Sequence, residues 1–315
     1  MRGRPGVSVR RRARGTAMLV AALAAAALGG CQLRDVTLAA PEDLVVAEVL
    51  LQAGGTQQLA WLHRSLGNGG LTVPGATVQV MAQGGATMTL TAVSGRICVD
   101  SSATFMPDTT GSCYAAATPA SAIVPGASYS LRVTTADGRV LTGTTTVPGL
   151  FHLTRPAGMA HCALRSWTLL PITWTQSSGA WIYVSETRLT HVRKALDPNA
   201  PDDRALDVTG LSISAQDTSI VFPSEFGLFN RADSADAPVL VALQKGLPDG
   251  VTATVTVAAA DRNYVQWVRR GSFNPSGTVQ IPSVQGGGTG MFASVVPARF
   301  DLTSYSTSSW PACGG

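Results

Sequence analysis

From residue 44 onward, hydrophobic and polar residues alternate in short runs separated by turn-forming residues. Strict alternation places every second side chain on the same face, which is typical of a β-strand with one buried face. One helix is predicted, at residues 258–269, where Tyr264, Trp267 and Val268 recur at helical spacing. The pattern predicts strands at residues 44–51, 77–81, 87–93, 129–135, 140–147, 181–184, 206–214, 239–243, 251–258 and 279–284. We therefore expect a mainly β protein.

Turn residues divide this pattern into two parts. The turn sequence Ala136-Asp137-Gly138-Arg139 lies between two alternating runs and predicts a β-hairpin over residues 129–147. Val147-Pro148-Gly149 follows, and tryptophans become more frequent after it. The length suits two modest domains or one large β domain. We expect a first β domain at residues 43–148 and a second β-rich domain with a short helix at residues 149–315.

The beginning of the chain follows a different pattern. Six arginines within the first fourteen residues precede an uncharged alanine- and leucine-rich run at residues 17–28. As a helix this run spans roughly 18 Å, too short for the ~30 Å hydrocarbon core, so it indicates a signal peptide rather than a transmembrane helix. The run closes with Leu28-Gly29-Gly30-Cys31, in which small glycines admit a peptidase and the Cys31 thiol can accept a diacylglyceryl group. The residues predict a lipoprotein signal peptide at 1–30, lipidation of Cys31 and a tether at 31–42.

Export changes the interpretation of charge. The formal net charge is +4, and loss of the six signal arginines lowers it to −2. No basic patch remains, so we expect no nucleic-acid partner. Because Gln32 rather than aspartate follows Cys31, the outer membrane is the expected location. No later segment is long and apolar enough to span a bilayer, which leaves the lipid as the predicted membrane link.

Four cysteines follow Cys31, namely Cys98, Cys113, Cys162 and Cys313. An even number suits disulfides in an oxidising compartment, and three pairings are possible. We favour Cys98 with Cys113, because they flank a Ser- and Thr-rich segment that resembles a loop between strands, and Cys162 with Cys313. In the chain-entropy model the shorter loop contributes roughly 3 kcal/mol. A zinc site is not expected, since no C-x-x-C pair is present.

Several motifs occur in the order seen in a known lipoprotein family. They are Val73 to Val78, Pro125 to Val133, Thr144 to Pro148 and Gly286 to Phe292. Together they resemble the outer-membrane lipoproteins of domain of unknown function 4249. The resemblance implies an immunoglobulin-like or carboxypeptidase-regulatory-like β-sandwich at residues 43–148 and a closing strand at Met291-Phe292. It also implies an accessory role beside uptake receptors of the TonB-dependent class, and it supplies no catalytic residue.

Residues suited to catalysis or metal binding form no known motif. His63, His152, His161 and His191 lie in separate segments, and no G-x-S-x-G sequence is present. The glycines at 286–290 lack the lysine of a phosphate-binding loop, and the acidic loop at 197–207 lacks the spacing of a calcium loop. We expect no enzymatic activity, no metal and no cofactor.

Six tryptophans suggest either core packing or a surface that stacks on sugars. Packing is the more common role, but the alternation of Trp181-Ile182-Tyr183-Val184 places Trp181 and Tyr183 on one face as a candidate ligand-binding pair. Two functions remain open. One is a non-catalytic surface module that binds a receptor, a glycan or a neighbouring protein. The other is an envelope hydrolase or glycan-active protein whose residues converge only in three dimensions.

Overall fold

The alternating segments form strands, and four helices are present among the described residues. The strands are β1 (Val45–Gln52), β2 (Gln57–Arg64), β3 (Thr77–Ala82), β4 (Thr87–Val93), β5 (Ser112–Ala117), β6 (Ser128–Thr134), β7 (Val140–Thr146), β8 (Leu153–Arg155), β9 (His161–Ala163), β10 (Leu170–Trp174), β11 (Ile182–Thr190), β12 (Leu206–Leu211), β13 (Ser219–Phe222), β14 (Thr252–Ala260), β15 (Val284–Gly286) and β16 (Gly288–Thr303). The helices are α1 (Gly95–Val99), α2 (Val192–Leu196), α3 (Ala237–Leu243) and α4 (Arg262–Phe273). The prediction of a mainly β chain is confirmed.

The structure is a computed structural model. It describes residues 42–66, 70–99, 111–200, 203–226, 237–273, 281–304 and 308–314. The predicted signal peptide, Cys31 and the tether up to residue 41 lie outside these ranges. Glu42–Gly315 forms one compact unit. The predicted boundary at residue 148 falls between β7 and β8, and the division into two domains stays a prediction.

Three sequence predictions of local structure need correction. Of the described residues in the strand predicted at 279–284, only Val284 belongs to a strand, as the first residue of β15. The strand predicted at residues 239–243 is wrong, because these residues belong to α3. A short apolar run fits either a strand or a buried helix, and Pro238 in the first turn favours the helix. The predicted helix begins at Arg262 rather than at residue 258, because apolar alternation keeps β14 extended to Ala260.

The long strand β16 connects the whole large sheet. Its first half pairs in parallel with β1, from Gly288 opposite Val45 to Val295 opposite Gln52. Its second half pairs antiparallel with β14, and β11 and β12 continue that side of the sheet. From β1 the hydrogen-bonded order continues as β2-β5-β4-β3-β6-β7-β15-β16. Because β1 also pairs with β16, these strands close into a ring.

Two hydrophobic regions pack against the same face of β16. The first region lies inside the ring of strands from β1 through β7 and β15 to β16. Its buried side chains include Val49, Leu62, Val80, Leu131, Leu141 and Phe292. Farther along, β16, β14, β11 and β12 face a second sheet with the order β13-β10-β8, and the buried side chains include Val255, Tyr183, Ile172, Trp174, Phe222 and Phe300. The second region is a sandwich of two sheets.

Glycines allow the first half of β16 to lie close to β1. A Cβ added at Gly288 would overlap the carbonyl oxygen of Val45, and one added at Gly290 would overlap the carbonyl oxygen of Ala47. Gly290 also has a φ of 139°, which side chains of L-residues rarely adopt. The glycine-rich segment therefore sets the backbone spacing in this pairing rather than forming a phosphate-binding loop.

The cysteines form the two pairs that the sequence favours. Cys98 lies 5.8 Å from Cys113 between Cα atoms, and Cys162 lies 4.8 Å from Cys313. The first bond connects α1 to β5 rather than two strands. The second holds the C-terminal residues beside β9, where Cys313 N donates to the Ala163 carbonyl oxygen at 2.9 Å.

We predict that Gly290→Ala destabilises the protein more than Gly138→Ala does. Both glycines have positive φ, but a Cβ at Gly138 meets no atom within 4 Å. Backbone strain alone predicts a loss of about 1–2 kcal/mol for Gly138→Ala, and overlap with β1 raises the loss for Gly290→Ala to roughly 2–5 kcal/mol. Urea unfolding of both variants measures the difference, and equal losses would contradict the close approach.

Candidate binding surface

Trp181 lies immediately before β11 and is 50% exposed. Its backbone N donates to the carbonyl oxygen of Ala260, at 2.9 Å, which fixes it beside the end of β14. The Arg262 guanidinium carbon lies 5.1 Å from the centroid of the Trp181 ring. This distance is within the range of a cation–π contact, so the first residue of α4 covers part of the indole.

Tyr183, the second residue of the predicted pair, is fully buried. Its ring packs 5.1 Å from Trp174 and 5.6 Å from Phe151 between centroids, and its hydroxyl accepts a hydrogen bond from Ser177 N at 2.7 Å. Trp181 precedes the strand, so strand alternation does not govern its direction. The structure therefore separates the predicted pair and leaves only Trp181 accessible to a ligand.

Two exposed aliphatic residues lie in segments attached to the backbone around Trp181. Leu150 is 76% exposed, and the adjacent Gly149 N donates to Ser178 O at 2.8 Å. Ile213 is 82% exposed, and the adjacent Ser212 N donates to Tyr183 O at 2.9 Å. We call the contacting pair Trp181 and Arg262 the Trp181 surface; Leu150 and Ile213 lie in segments bonded to the backbone near it. The pair combines an indole with one cation.

The position of Arg262 depends on the polar cap of α4. Asp261 accepts a hydrogen bond from Tyr264 N at 2.9 Å, as an N-terminal helix cap does, and another from the Thr145 hydroxyl at 2.5 Å. Burial raises the pKa of Asp261 to about 6, although its hydrogen bonds to Thr145 and to backbone amides act in the opposite direction. Sequence analysis missed Arg262, because only the folded chain brings it onto Trp181.

Two glutamates contribute to the sheet face that α4 covers. Burial raises the pKa of Glu48 to about 7, against the lowering effect of a hydrogen bond with Trp267. Burial also raises the pKa of Glu186 to about 7, and the nearby charge of Asp207 adds to the shift. Both glutamates are half-buried. The spacing of Glu48 and Glu186 matters because two carboxyl groups close together could act as a catalytic pair.

Strand register places the two glutamates far apart. Glu48 lies opposite Met291 on β16, and Glu186 lies in the row of Thr256 and Arg299. At about 3.3 Å per residue, Met291 and Arg299 are roughly 26 Å apart along the strand. Both glutamates nevertheless face α4, because Glu48 hydrogen-bonds Trp267 and the charge of Glu186 acts on Tyr264, one helical turn away.

The histidines are also distributed over the fold. His191 Nδ1 lies 2.7 Å from Asp203, and this contact lowers the pKa of the Asp203 carboxyl. His161 packs 4.9 Å from Trp310 between ring centroids in a tilted arrangement, and His152 lies by Thr175. In the described ranges, no group of three His, Cys, Asp or Glu side chains is placed to hold a metal ion.

None of the helices in the described part of the chain has the length and apolar composition needed to cross a membrane. No family model and no curated protein matches the chain, so membership of the family that the sequence resembles stays a prediction.

Solved structures give only weak likenesses. The fibronectin(III)-like modules of CbhA from Clostridium thermocellum match with 11% identity and a TM-score of 0.21, covering 82% of this chain and 90% of that chain. Dpr11 IG1 bound to DIP-gamma IG+IG2 matches with 8% identity and a TM-score of 0.19, covering 84% and 98%. These values do not identify a function.

We predict that the two glutamates make the protein less stable as pH rises. A folded-state pKa near 7 exceeds the ordinary value of 4.5, so the folded state holds extra protons between these values. Stability therefore falls between about pH 4.5 and 7 and then levels off, by at most about 3 kcal/mol per glutamate. Glu48→Gln and Glu186→Gln each reduce this fall.

Thermal or urea unfolding from pH 5 to pH 8 measures the effect. Glu42→Gln, at an exposed position, is the matched control and keeps the parent profile. An unchanged pH profile in both buried-site variants would show that these carboxylates are ionised in the folded protein.

Proposed function

We propose that the protein is a lipid-anchored, non-catalytic module of the cell envelope that binds a partner through the Trp181 surface. The observation that carries this proposal is the half-exposed indole of Trp181 beneath the Arg262 guanidinium. Exposed tryptophan and arginine are the side chains most often found at the energetic centre of protein interfaces. Leu150 and Ile213 add apolar area that the unit itself does not bury.

The separation of the ionisable groups favours binding over catalysis. Glu48 and Glu186 lie eight residue positions apart along β16 and on different pairs of strands. Asp261 is occupied as the cap of α4. An envelope hydrolase stays the alternative from the sequence.

The Leu28-Gly29-Gly30-Cys31 sequence supports attachment to a membrane. A lipid on Cys31, followed by Gln32, suits the outer membrane. Paired cysteines support an oxidising compartment on the exported side. The family resemblance suggests a partner of one class, an outer-membrane receptor of the TonB-dependent type, for which the protein serves as an accessory in uptake.

We predict that Cys31→Ala abolishes membrane attachment. Cells grown with a clickable fatty acid label the parent protein and leave the variant unlabelled, and the variant appears in the soluble exported fraction. Cys98→Ala is the control for loss of a cysteine as such. Equal labelling of the parent and Cys31→Ala would place any lipid on another residue.

We also predict that Trp181→Ala and Arg262→Ala weaken association with the receptor. Loss of a central aromatic or arginine contact costs about 2 kcal/mol, or roughly thirtyfold in affinity. Affinity purification from detergent-solubilised outer membranes, quantified by mass spectrometry, recovers the receptor with the parent and depletes it with both variants. Trp310→Ala, another exposed tryptophan, is the matched control. Recovery of no receptor with the parent would refute the accessory role.

A further inference from the structure

β16 gives the unit a long axis with two distinguishable ends. Val45 pairs with Gly288 at one end, so residue 42 lies there, and Thr303 marks the other end. A strand of this length spans about 50 Å at about 3.3 Å per residue. We call the region around residues 161–168 and 308–313 the distal end, because it lies beside Thr303, away from residue 42.

Trp167 occupies a loop fixed to the distal end. Leu164 N donates to the Thr303 carbonyl oxygen at 2.8 Å, and the Ser166 hydroxyl donates to the Ser304 carbonyl oxygen at 3.0 Å. Trp167 N donates to the Leu247 carbonyl oxygen at 2.7 Å. The backbone around Trp167 is therefore held on both sides, although its indole is 50% exposed.

The conformation of Trp167 is unfavourable for folding. Its φ is 58°, in the left-handed region that disfavours a residue with a Cβ. A Cβ added at Gly246 would meet the backbone of Trp167 and Thr168, so close packing fixes this loop. A glycine at 167 would relieve the strain but would lose the packing of the buried half of the indole. The fold thus maintains a strained tryptophan that faces solvent, a combination found at functional sites.

A second tryptophan is held at the same end. Trp310 is 36% exposed, and its ring packs against His161 at an interplanar angle of 42°. The next residue, Pro311, accepts a hydrogen bond from Ala163 N at 2.7 Å. The disulfide between Cys162 and Cys313 joins the same two segments covalently. Both indoles are therefore attached to β9 and to the end of β16.

We propose that the distal end binds an oligosaccharide or polysaccharide, with Trp167 and Trp310 as stacking platforms. The flat face of an indole packs against the C–H face of a sugar ring. The exposed side chains of Arg165 and His161 supply hydrogen-bonding groups for sugar hydroxyls. The inference rests on the proposal that the protein is a binding module, but it concerns a different surface from Trp181.

Native gel electrophoresis with and without a dissolved polysaccharide tests this assignment. The probes are hydroxyethylcellulose, laminarin and galactomannan, and the full-length protein is kept in a detergent without a sugar headgroup, since such a headgroup would compete. We expect at least one probe to retard the parent. Trp167→Gly and Trp310→Ala each weaken binding roughly tenfold, as expected for loss of one stacking contact.

Trp181→Ala is the matched control, because Trp181 is as exposed as Trp167. It keeps the parent's retardation. Trp167→Phe separates binding from structure, because it keeps an aromatic platform and is expected to retain more retardation than Trp167→Gly, and the thermal midpoint of each variant shows that it is folded in the assay.

Three results would overturn the proposal. They are no retardation by any probe, equal retardation of Trp167→Gly and the parent, and equal loss in Trp181→Ala. Sedimentation with anionic vesicles that depends on Trp167, without retardation by any polysaccharide, would assign the distal end to a membrane surface instead. Recovery of the receptor through Trp181 in the affinity purification would still support the proposed function after any of these results.

Discussion

The structure depends on one strand that serves two hydrophobic regions. In β16 the even-numbered residues face inward along the whole strand, with Phe292 in the first region and Val296, Phe300 and Leu302 in the second. Because strand alternation has a period of two, a shift of one residue would move both sets to the opposite face, where α4 packs on Met291, Ala293 and Val295. The pairing with β1 and the pairing with β14 therefore fix each other's register.

Buried polar side chains joined by hydrogen bonds lie where the pairing of β16 with β1 gives way to its pairing with β14. Ser294 is fully buried on the inward face, where its hydroxyl lies 2.8 Å from that of Thr145. Thr145 also donates to Asp261, which caps α4. Burial of these groups without partners would be costly, so the network specifies where α4 begins. The start of α4 in turn places Arg262 over Trp181, which links a buried contact to a surface.

The exposed tryptophans occupy different positions along the long axis. Trp181 lies beside Ala260, level with the middle of β16, whereas Trp167 and Trp310 lie beside its end. The backbone bonds of Ser166 and the disulfide at Cys162 hold the latter two in place. This arrangement allows two ligands to bind at separate surfaces of one unit, with residue 42 at the end opposite the distal tryptophans.

The sequence by itself determined the strand content, the hairpin around Gly138 and the favoured cysteine pairs, because these follow from local alternation, turn residues and spacing. It predicted a strand at 239–243, where a short apolar run has no distinctive period, and it placed Tyr183 beside Trp181. Only the tertiary structure decided that Tyr183 is buried and that Arg262 covers Trp181. These contacts join residues far apart in the chain, and the geometry that joins them comes from pairing along β16, which local patterns do not encode.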